Sequence, residues 1–480
     1  MEKNYIVVDL GTGNSRVAIA SSTGTIHAVK VFENNYHRDD SYEDAQYFIP
    51  EEWAVKILNY CKEIIADNLK LVVAAITSSG ARESIVLYDE DGKAFYGLPN
   101  IDNRGRMWVK DIPDKEYIYE RTGRWVTEDF PAAKLLGLQM KHPEIYNRVS
   151  KITSLSEWIG EIFTGKIVIE PSQACETQLF DIETKQWSEK ICKYYNINTN
   201  LLPPLQMAGT CLEKVKSELC EELQLPKESK FVIGGADTQV AVKSLGIEVG
   251  DIAIVSGTTS PIVTITNEKY YDSRERCWTD CNLGGETFQV ETNPGVTGLN
   301  YQRLKKMFFS DVSYEKLDQI LQAKKKFLCT ASFSSLNFSK KQSFKKGGFV
   351  MDAPLDAECD VTDLAWAMVA DMACSIYVQY KSLCEMVPHS KPYLLGCGGG
   401  LQSSAMCQMI ADLTGKDLVI YHGFEQASIN GCVKLCNDYF GINYENNHQG
   451  EKRYAPQKDS LVKIYFPKWE TNRSMLNSVS

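Results

Sequence analysis

One strand-turn-strand unit occurs twice in this sequence, about half a chain length apart. Residues 6–17 read IVVDLGTGNSRV and residues 252–263 read IAIVSGTTSPIV, in a chain of 480 residues. Each copy is a β-rich run, a glycine-threonine turn and a second β-rich run, which is typical of a hairpin. The repeat predicts two domains that each present a Gly-Thr turn. Two such turns facing each other across a cleft could hold a polyphosphate from both sides.

The rest of the chain fits a layered α/β protein. Apolar strands alternate with amphipathic helices almost throughout, which favours helices packed on mainly parallel sheets. We predict a first domain over residues 1–246, a second over 247–450 and a C-terminal extension over 451–480. The polar end of the chain, 470–480, is predicted to fray.

The charge balance bears on the class of partner. There are 52 Lys and Arg residues against 62 Asp and Glu, a formal net charge of −10. Nucleic-acid binding depends on a basic surface that follows the phosphate backbone. The basic stretches at 324–326 and 340–346 are short and are interpreted as solvated surface. No nucleic-acid partner is expected.

Membrane insertion and secretion are not expected either. The first apolar run, Tyr5 to Val8, is too short for a secretory segment, and no apolar run reaches the ~18 residues of a membrane span. The longest predicted helix begins at Thr362 as its cap and runs to about Met386. The 15 cysteines contain no Cys-x-x-Cys pair or zinc-finger spacing, which favours reduced thiols in the cytoplasm and no zinc.

Two familiar nucleotide motifs are absent from the sequence. None of the three Gly-Lys pairs, at positions 92, 165 and 415, is followed by Ser or Thr as a P-loop requires. A dinucleotide fingerprint needs a third glycine, and Arg16 and Leu401 occupy that place in the two candidate segments. A nucleotide would therefore have to bind in another way.

The turn after the first strand is the first candidate for phosphate binding. Glycines such as Gly13 allow the backbone to approach an anion, and consecutive N–H groups in a tight turn bind it. The Thr12 hydroxyl can donate to a phosphate oxygen. Asp9 would be repelled by phosphate unless Mg²⁺ lay between them. The alternative is an ordinary glycine-rich hairpin with a turn-stabilising Asp.

Asp237 is the candidate general base. It follows a strand and two glycines and stands at the start of an apparent helix. A helix N-terminus favours the ionised acid, which could accept a proton from an attacking hydroxyl. The alternative is a plain helix cap.

Three further acidic or basic side chains and a glycine run are candidates for ligand contact. Arg82 and Glu83 could grip a polyhydroxylated ligand as donor and acceptor, and Asp102 has the same potential; a surface ion pair is the alternative for all three. The run 398–400 could give a flat backbone platform for a ring or an α-phosphate, or could be a tight crossover without a ligand.

In this order and spacing, the segments resemble the FGGY carbohydrate kinases of the actin-like ATPase superfamily. The likeness covers nearly the whole chain and rests on the Asp-x-Gly-Thr turn, Gly-Gly-Ala-Asp237, Ser-Gly-Thr-Thr-Ser260 and Gly-Gly-Gly-Leu-Gln-Ser-Ser404. It implies an α/β fold of two ribonuclease-H-like domains with a central interdomain cleft, and it implies Mg-ATP as phosphoryl donor. The run 82–89 and the segments around 157 and 171 look most like the autoinducer-2 kinase branch, near the xylulokinases.

The resemblance assigns roles by position. Asp237 matches the catalytic base and Asp9 the magnesium carboxylate. Substrate contacts are expected from the Arg-Glu pair 82–83, Asp102, Asp237 and Thr238. The nucleotide-binding positions are Thr12, Gly13, Arg16, Gly257, Thr258, Gly298, Gln302, Gly400 and Ser404, with Ser404 standing where an asparagine is common.

The implied activity is transfer of the γ-phosphate of ATP to a hydroxyl of a sugar, ketose, polyol or autoinducer-2-like molecule in the cytoplasm. Glycerol kinases place a Tyr near Asp129 and a Gln directly after the base, where Thr238 stands here, so the acceptor stays open. A non-catalytic sugar-responsive or assembly protein on the same scaffold is the alternative, and a homodimer is one assembly that such a chain could form.

Overall fold

The computed structural model describes residues 2–443 and 450–478. Its first large sheet has six strands in the spatial order Cys211–Lys214, Lys230–Ala236, Val73–Gly80, Asn4–Leu10, Asn14–Ser21 and Ile26–Glu33. Strand Asn4–Leu10 pairs antiparallel with Asn14–Ser21 and parallel with Val73–Gly80. The N-terminal repeat is therefore a hairpin at the centre of this sheet.

A second large sheet contains the other copy of the repeat. Its strands lie in the order Trp278–Cys281, Phe288–Thr292, Ile262–Thr266, Ile252–Val255, Tyr393–Cys397, Asp417–Ile420 and Lys452–Tyr454. The central hairpin is again antiparallel within itself and parallel to the next strand. The two sheets thus share a central hairpin that pairs in parallel with the next strand, and the predicted hairpin structure of both repeat copies is confirmed.

Five small sheets and fifteen α-helices complete the described part of the chain. The small sheets comprise Ala94–Leu98 with Ile85–Tyr88 and Lys151–Ser154, Phe180–Asp181 with Gln186–Trp187, Cys329–Ser332 with Gly348–Met351, Leu336–Asn337 with Gln342–Ser343, and His37–Arg38 with Gln46–Tyr47. The helices are Pro50–Ala66, Lys115–Thr122, Pro131–Lys141, Pro143–Tyr146, Leu155–Thr164, Pro171–Cys175, Glu189–Tyr194, Ser217–Glu222, Asp237–Leu245, Gly298–Phe308, Tyr314–Ala323, Val361–Met386, Ser404–Thr414, Ala427–Phe440 and Leu461–Ser478.

Two helices are exchanged between the sheets. Helix Asp237–Leu245 follows a strand of the first sheet, yet it packs on the second sheet beside Val263 and Leu395. Helix Ala427–Phe440 follows a strand of the second sheet and packs on the first, against Val7 and Ala75. The domain boundary at 246/247 stays a prediction. Each half of the chain packs against a helix that continues from a strand of the other half's sheet.

The longest helix, Val361–Met386, is a core element. Its N-cap is Asp360, two residues before the predicted cap Thr362, because Asp360 and Asp363 form a reciprocal capping box and Thr362 lies inside the helix. Its length and mean hydropathy are those of a membrane-spanning helix, although its sequence contains no uninterrupted apolar run of ~18 residues. Most of its apolar window is buried against the second sheet.

Residues 470–478 belong to a helix, contrary to the expectation that this end frays, and residues 479–480 of that prediction lie outside the described residues. In helix Leu461–Ser478, Tyr465 and Trp469 are buried in the core beneath the second sheet. The Trp469 indole donates to Asp371 at 2.8 Å, and Arg473 donates to Ser332 at 3.1 Å. The polar residues between these buried side chains are mostly exposed. The polar composition of the segment therefore did not indicate that one side of the helix is buried.

Candidate active site

The first Gly-Thr turn is held by three side chains that sequence reasoning did not single out. The Asn34 amide donates to the Gly11 carbonyl at 2.7 Å, and the Tyr36 hydroxyl donates to the Thr12 carbonyl. The Asn100 amide donates to Thr12 Oγ1 at 2.8 Å. Because Thr12 Oγ1 already accepts a hydrogen bond, its own proton is available to a ligand. Gly13 at the tip is exposed.

Asp9 ends the first strand beneath this turn and is 4% exposed. Its Oδ2 accepts from Arg16 Nε at 3.0 Å and from Ser428 Oγ at 2.7 Å. Arg16 also donates to Gln426 at 2.7 Å. The predicted metal carboxylate and the predicted phosphate-binding Arg therefore lie together, and both contact the segment that leads into the exchanged helix Ala427–Phe440.

Asp237 is the first residue of the other exchanged helix. It is partly exposed, and its Oδ1 accepts from the Thr238 backbone N–H at 2.7 Å. Burial of the carboxyl group raises its pKa to about 6; the Arg82 charge opposes that rise, whereas Asp9 and Glu83 add to it. These charges are therefore close to Asp237, between the two large sheets.

The glycine before this motif is fixed by close packing. A Cβ atom at Gly234 would lie 1.6 Å from the Ser78 carbonyl oxygen of the neighbouring strand. The strand pairing shifts register between Val232 and Gly235 at this point, a bulge that redirects the chain. Only glycine allows strand Lys230–Ala236 to pass so close and to deliver Asp237 to the interface.

The charges of Arg82 and Glu83 both act on Asp237, but the two side chains differ in their hydrogen-bond partners. Arg82 is 8% exposed and forms a two-pronged ion pair with Glu291 of the second sheet, at 2.6 and 3.1 Å. Glu83 has a left-handed backbone with φ of 57°, a strained conformation for such a residue. Its carboxylate makes no hydrogen bond to residues 2–443 or 450–478, so it can accept one from a ligand.

A second group of buried ion pairs lies next to the Arg82–Glu291 pair, with Glu176 4.0 Å from Arg82. This group was not predicted from the sequence. Arg124 Nη2 lies 2.6 Å from Glu176 and 2.7 Å from Asp280. Burial raises the pKa of Asp280 to about 6 and raises that of Glu176 as well. Arg124 lies 52 positions from Glu176 in the sequence, and Asp280 is farther along the chain still, so no local motif marks the group.

The predicted nucleotide positions of the second half converge on Ser256 and Gly257. A Cβ atom at Gly298 would lie 2.2 Å from the Gly257 carbonyl, and one at Gly400 would lie 2.2 Å from Ser256 Oγ. The Gly400 N–H donates to the Ser256 carbonyl at 2.8 Å. Gly257 and Thr258 are exposed, so this turn can be reached by a ligand.

Two other predicted nucleotide contacts are placed differently. Ser404 Oγ accepts from the Tyr454 hydroxyl at 3.0 Å, and its backbone N–H donates to Asp318 at 3.2 Å. Gln302 is exposed on helix Gly298–Phe308. Asp318 therefore already occupies the N-terminus of helix Ser404–Thr414, and a nucleotide would meet the glycine run before it.

Asp102 is placed as a structural residue. It is fully buried; one carboxylate oxygen accepts from Arg104 at 2.8 Å and the other from the Gln46 backbone at 3.0 Å. With both oxygens engaged, the geometry does not support the predicted substrate contact. Thr238 is 6% exposed, and its hydroxyl donates to Asp237, so it orients the carboxylate.

The chain is similar in sequence to known carbohydrate kinases. A profile of the FGGY family of carbohydrate kinases, N-terminal domain, matches residues 4–243. YoaC of Bacillus subtilis strain 168, assigned provisionally as a sugar kinase, is 38% identical over 100% of this chain and 99% of its own length. The autoinducer-2 kinase of Klebsiella pneumoniae is 23% identical over 97% of this chain and 93% of its own.

Solved structures show the same fold. The ligand-bound xylulose kinase of Lactobacillus acidophilus superposes with a TM-score of 0.84 at 19% identity, over 99% of this chain and 98% of its own. The two-sheet architecture is thus the actin-like ATPase fold. Because the family profile covers half of the chain and YoaC matches all of it, the protein belongs to the FGGY family of carbohydrate kinases.

Proposed function

We propose that the chain transfers the γ-phosphoryl group of Mg-ATP to a hydroxyl group of a sugar, ketose, polyol or autoinducer-2-like molecule, with Asp237 as general base. The observation that carries this proposal is the position of Asp237. It lies between the two sheets with Asp9 and Arg82 close enough to shift its pKa. A carboxylate there can accept the acceptor's proton while the two Gly-Thr turns bind the phosphates.

The turns supply the phosphate contacts in this proposal. Gly13, Gly257 and Thr258 are exposed, and exposed turn N–H groups bind the negative charge that develops during transfer. The Thr12 hydroxyl, oriented by Asn100, adds a further donor. Arg16 adds a positive charge that is shared with Asp9. Little covalent work is asked of the protein, so positioning dominates catalysis.

The residues present fit a magnesium ion. Asp9 Oδ1 makes no hydrogen bond to the described residues, and carboxylate oxygens are preferred Mg²⁺ ligands. No group of three or more His, Cys, Asp or Glu within 2–443 and 450–478 could hold a metal ion by itself. Asp9 would therefore bind Mg²⁺ together with phosphate oxygens and water, and the ion would neutralise phosphate charge. The 15 thiols, all free, support a cytoplasmic location.

The direct test is an ADP-release screen with Mg-ATP over sugars, ketoses and polyols. We expect at least one acceptor to raise ADP release well above the rate with water alone. Turnover with water only, for every acceptor, would favour the non-catalytic alternative. Sedimentation with and without ATP would then test for assembly.

The pH dependence should report Asp237. A general base must be ionised, and burial raises the pKa of this one to about 6, so kcat/KM should fall as the pH drops through 6. At pH 5 we expect a rate about tenfold below the plateau. A base with the usual pKa of about 3.9 would leave the profile flat to pH 5, and a flat profile would contradict the assignment.

Asn100 should orient the phosphate turn. Replacing it with Ala removes the hydrogen bond to Thr12 Oγ1, which frees that hydroxyl to rotate, and we expect a loss of about tenfold in kcat/KM for ATP. The matched control is Asn103→Ala, three residues away and not in contact with the turn. Equal effects from both variants would argue against a positioning role for Asn100.

A further inference from the structure

The buried charges beside Asp237 continue onto one face of the second sheet. Strand Trp278–Cys281 pairs with Phe288–Thr292 so that Asp280 lies opposite Gln289 and Trp278 lies opposite Glu291. Cross-strand partners share a face, and alternate residues of a strand do too. These four side chains, three polar ones and the Trp278 ring, therefore form one patch, which we call the acceptor face.

The acceptor face is the face of the second sheet on which helix Asp237–Leu245 packs. Gln289 and Glu291 pair with Ile265 and Val263, and those two residues pack against helix Asp237–Leu245. The opposite face, which includes Val290, belongs to the separate core under helix Val361–Met386. The acceptor face and the helix that begins with Asp237 therefore lie on the same side of the second sheet.

Several polar atoms on and around this face have no partner although they are buried. Both amide atoms of Gln289 and the Oδ2 atom of Asp280 make no hydrogen bond. Across the interface the same holds for Nε and Nη1 of Arg124 and for Oε2 of Glu176. All four residues are at most 1% exposed. Unpaired buried polar atoms are destabilising, so a cluster of them suits a bound polar ligand.

The cluster has no spare positive charge. Arg82 is engaged by Glu291, and Arg124 by Glu176 and Asp280, while Glu83 adds one more carboxylate nearby. An anionic ligand would meet more carboxylates than guanidinium groups. The free donors and acceptors, by contrast, alternate in a way that suits hydroxyl groups, which both donate and accept. Phe130 and Trp278 stack against Arg124, so apolar rings border the cluster.

We infer that Arg124, Glu176, Asp280 and Gln289 bind the phosphoryl acceptor and select an uncharged polyhydroxylated molecule over its carboxylated counterpart. This inference rests on the proposed function and narrows it. Neutral ketoses and alditols fit the cluster, whereas aldonic acids and phosphorylated sugars place a negative charge among carboxylates.

The test compares matched neutral and acidic acceptors, namely D-glucitol with D-gluconate and xylitol with D-xylonate, together with ketopentoses, in the ADP-release assay. We expect every acceptor that works to be neutral, with kcat/KM at least 100-fold above that of the acid of equal chain length. Acids used as well as their neutral partners would overturn the inference while leaving the kinase proposal intact. No turnover with any acceptor would instead overturn the proposed function on which it rests.

Variants give a second readout. Gln289→Leu should raise the acceptor KM at least tenfold without lowering Tm, because the amide has no partner to lose, and should leave the KM for ATP unchanged. The matched control is Gln379→Leu, a buried glutamine of helix Val361–Met386, which packs on the opposite face of the sheet; its side-chain amide oxygen is also unpaired, while its backbone carbonyl accepts from Thr292. A fall in Tm with an unchanged acceptor KM in Gln289→Leu would show a structural role and overturn the inference.

The charge argument has its own test. Glu291→Gln keeps a hydrogen-bond acceptor for Arg82 but frees its positive charge, so the preference for neutral over acidic acceptors should fall at least tenfold. An unchanged preference in a variant with the wild-type Tm would contradict the charge argument.

Discussion

Replacing Asp237 with asparagine is expected to lower kcat by about 10²- to 10⁴-fold, the usual contribution of a general base. Asparagine has nearly the same shape and can still accept the hydrogen bond from the Thr238 backbone, so helix Asp237–Leu245 should keep its start. The amide cannot take a proton from the acceptor hydroxyl. Single-turnover phosphoryl transfer and equilibrium nucleotide binding, measured on the same preparation, separate the two effects.

The control for this variant is Glu218→Gln, which neutralises an exposed acid in the first turn of another helix, Ser217–Glu222. It should leave kcat and nucleotide affinity unchanged. The Asp237 variant should bind ATP with nearly the wild-type affinity and should lose the acid limb of the pH profile. Retention of more than about a tenth of the wild-type kcat would contradict the role of Asp237.

Removing the Arg82 charge is expected to cost both stability and activity. In Arg82→Met, Glu291 is left as a buried carboxylate without its two-pronged partner, and Glu176 loses a positive charge 4.0 Å away. Breaking one side of a buried ion pair typically costs about 3–5 kcal/mol. Urea unfolding should show this as a lower midpoint with an unchanged slope.

A double variant separates the two roles of this pair. In Arg82→Met with Glu291→Met, no unpaired charge remains, and replacing a buried pair by apolar residues is often neutral or stabilising. The free energy of unfolding should return close to the wild-type value, while kcat/KM for the acceptor should stay at least 100-fold reduced. Recovery of activity together with stability would show that Arg82 acts only through folding.

The parts of the site that could be predicted from sequence are those that lie within one local segment. The two Gly-Thr turns and the strand-glycine-Asp237 motif each occupy fewer than a dozen residues, so their residue order alone indicates a turn or a strand end. The partners that complete them could not be predicted this way. Glu291 contacts Arg82, and Asp280 contacts Arg124, because strands of the second sheet pack against segments from the first half of the chain, and no local pattern encodes those contacts.

The pKa of Asp237 could not be predicted from the local sequence either. Its place at a helix N-terminus predicts a carboxylate stabilised in the ionised form. In the structure, burial between the halves and the nearby Asp9 and Glu83 charges outweigh that effect and raise its pKa to about 6. Burial and neighbouring charges depend on the tertiary structure, so the local sequence indicated the direction of this pKa shift wrongly, and the role of Asp237 as the base stays a prediction.

The exchange of the two helices determines how this chain can be divided. A polypeptide ending at 246 would carry helix Asp237–Leu245 with its apolar side exposed to water, and the first sheet would lack the cover that residues 427–440 provide. The complementary polypeptide would have the reciprocal defect. Neither fragment is therefore an autonomous folding unit, and co-expression of both is the condition under which split halves should become soluble.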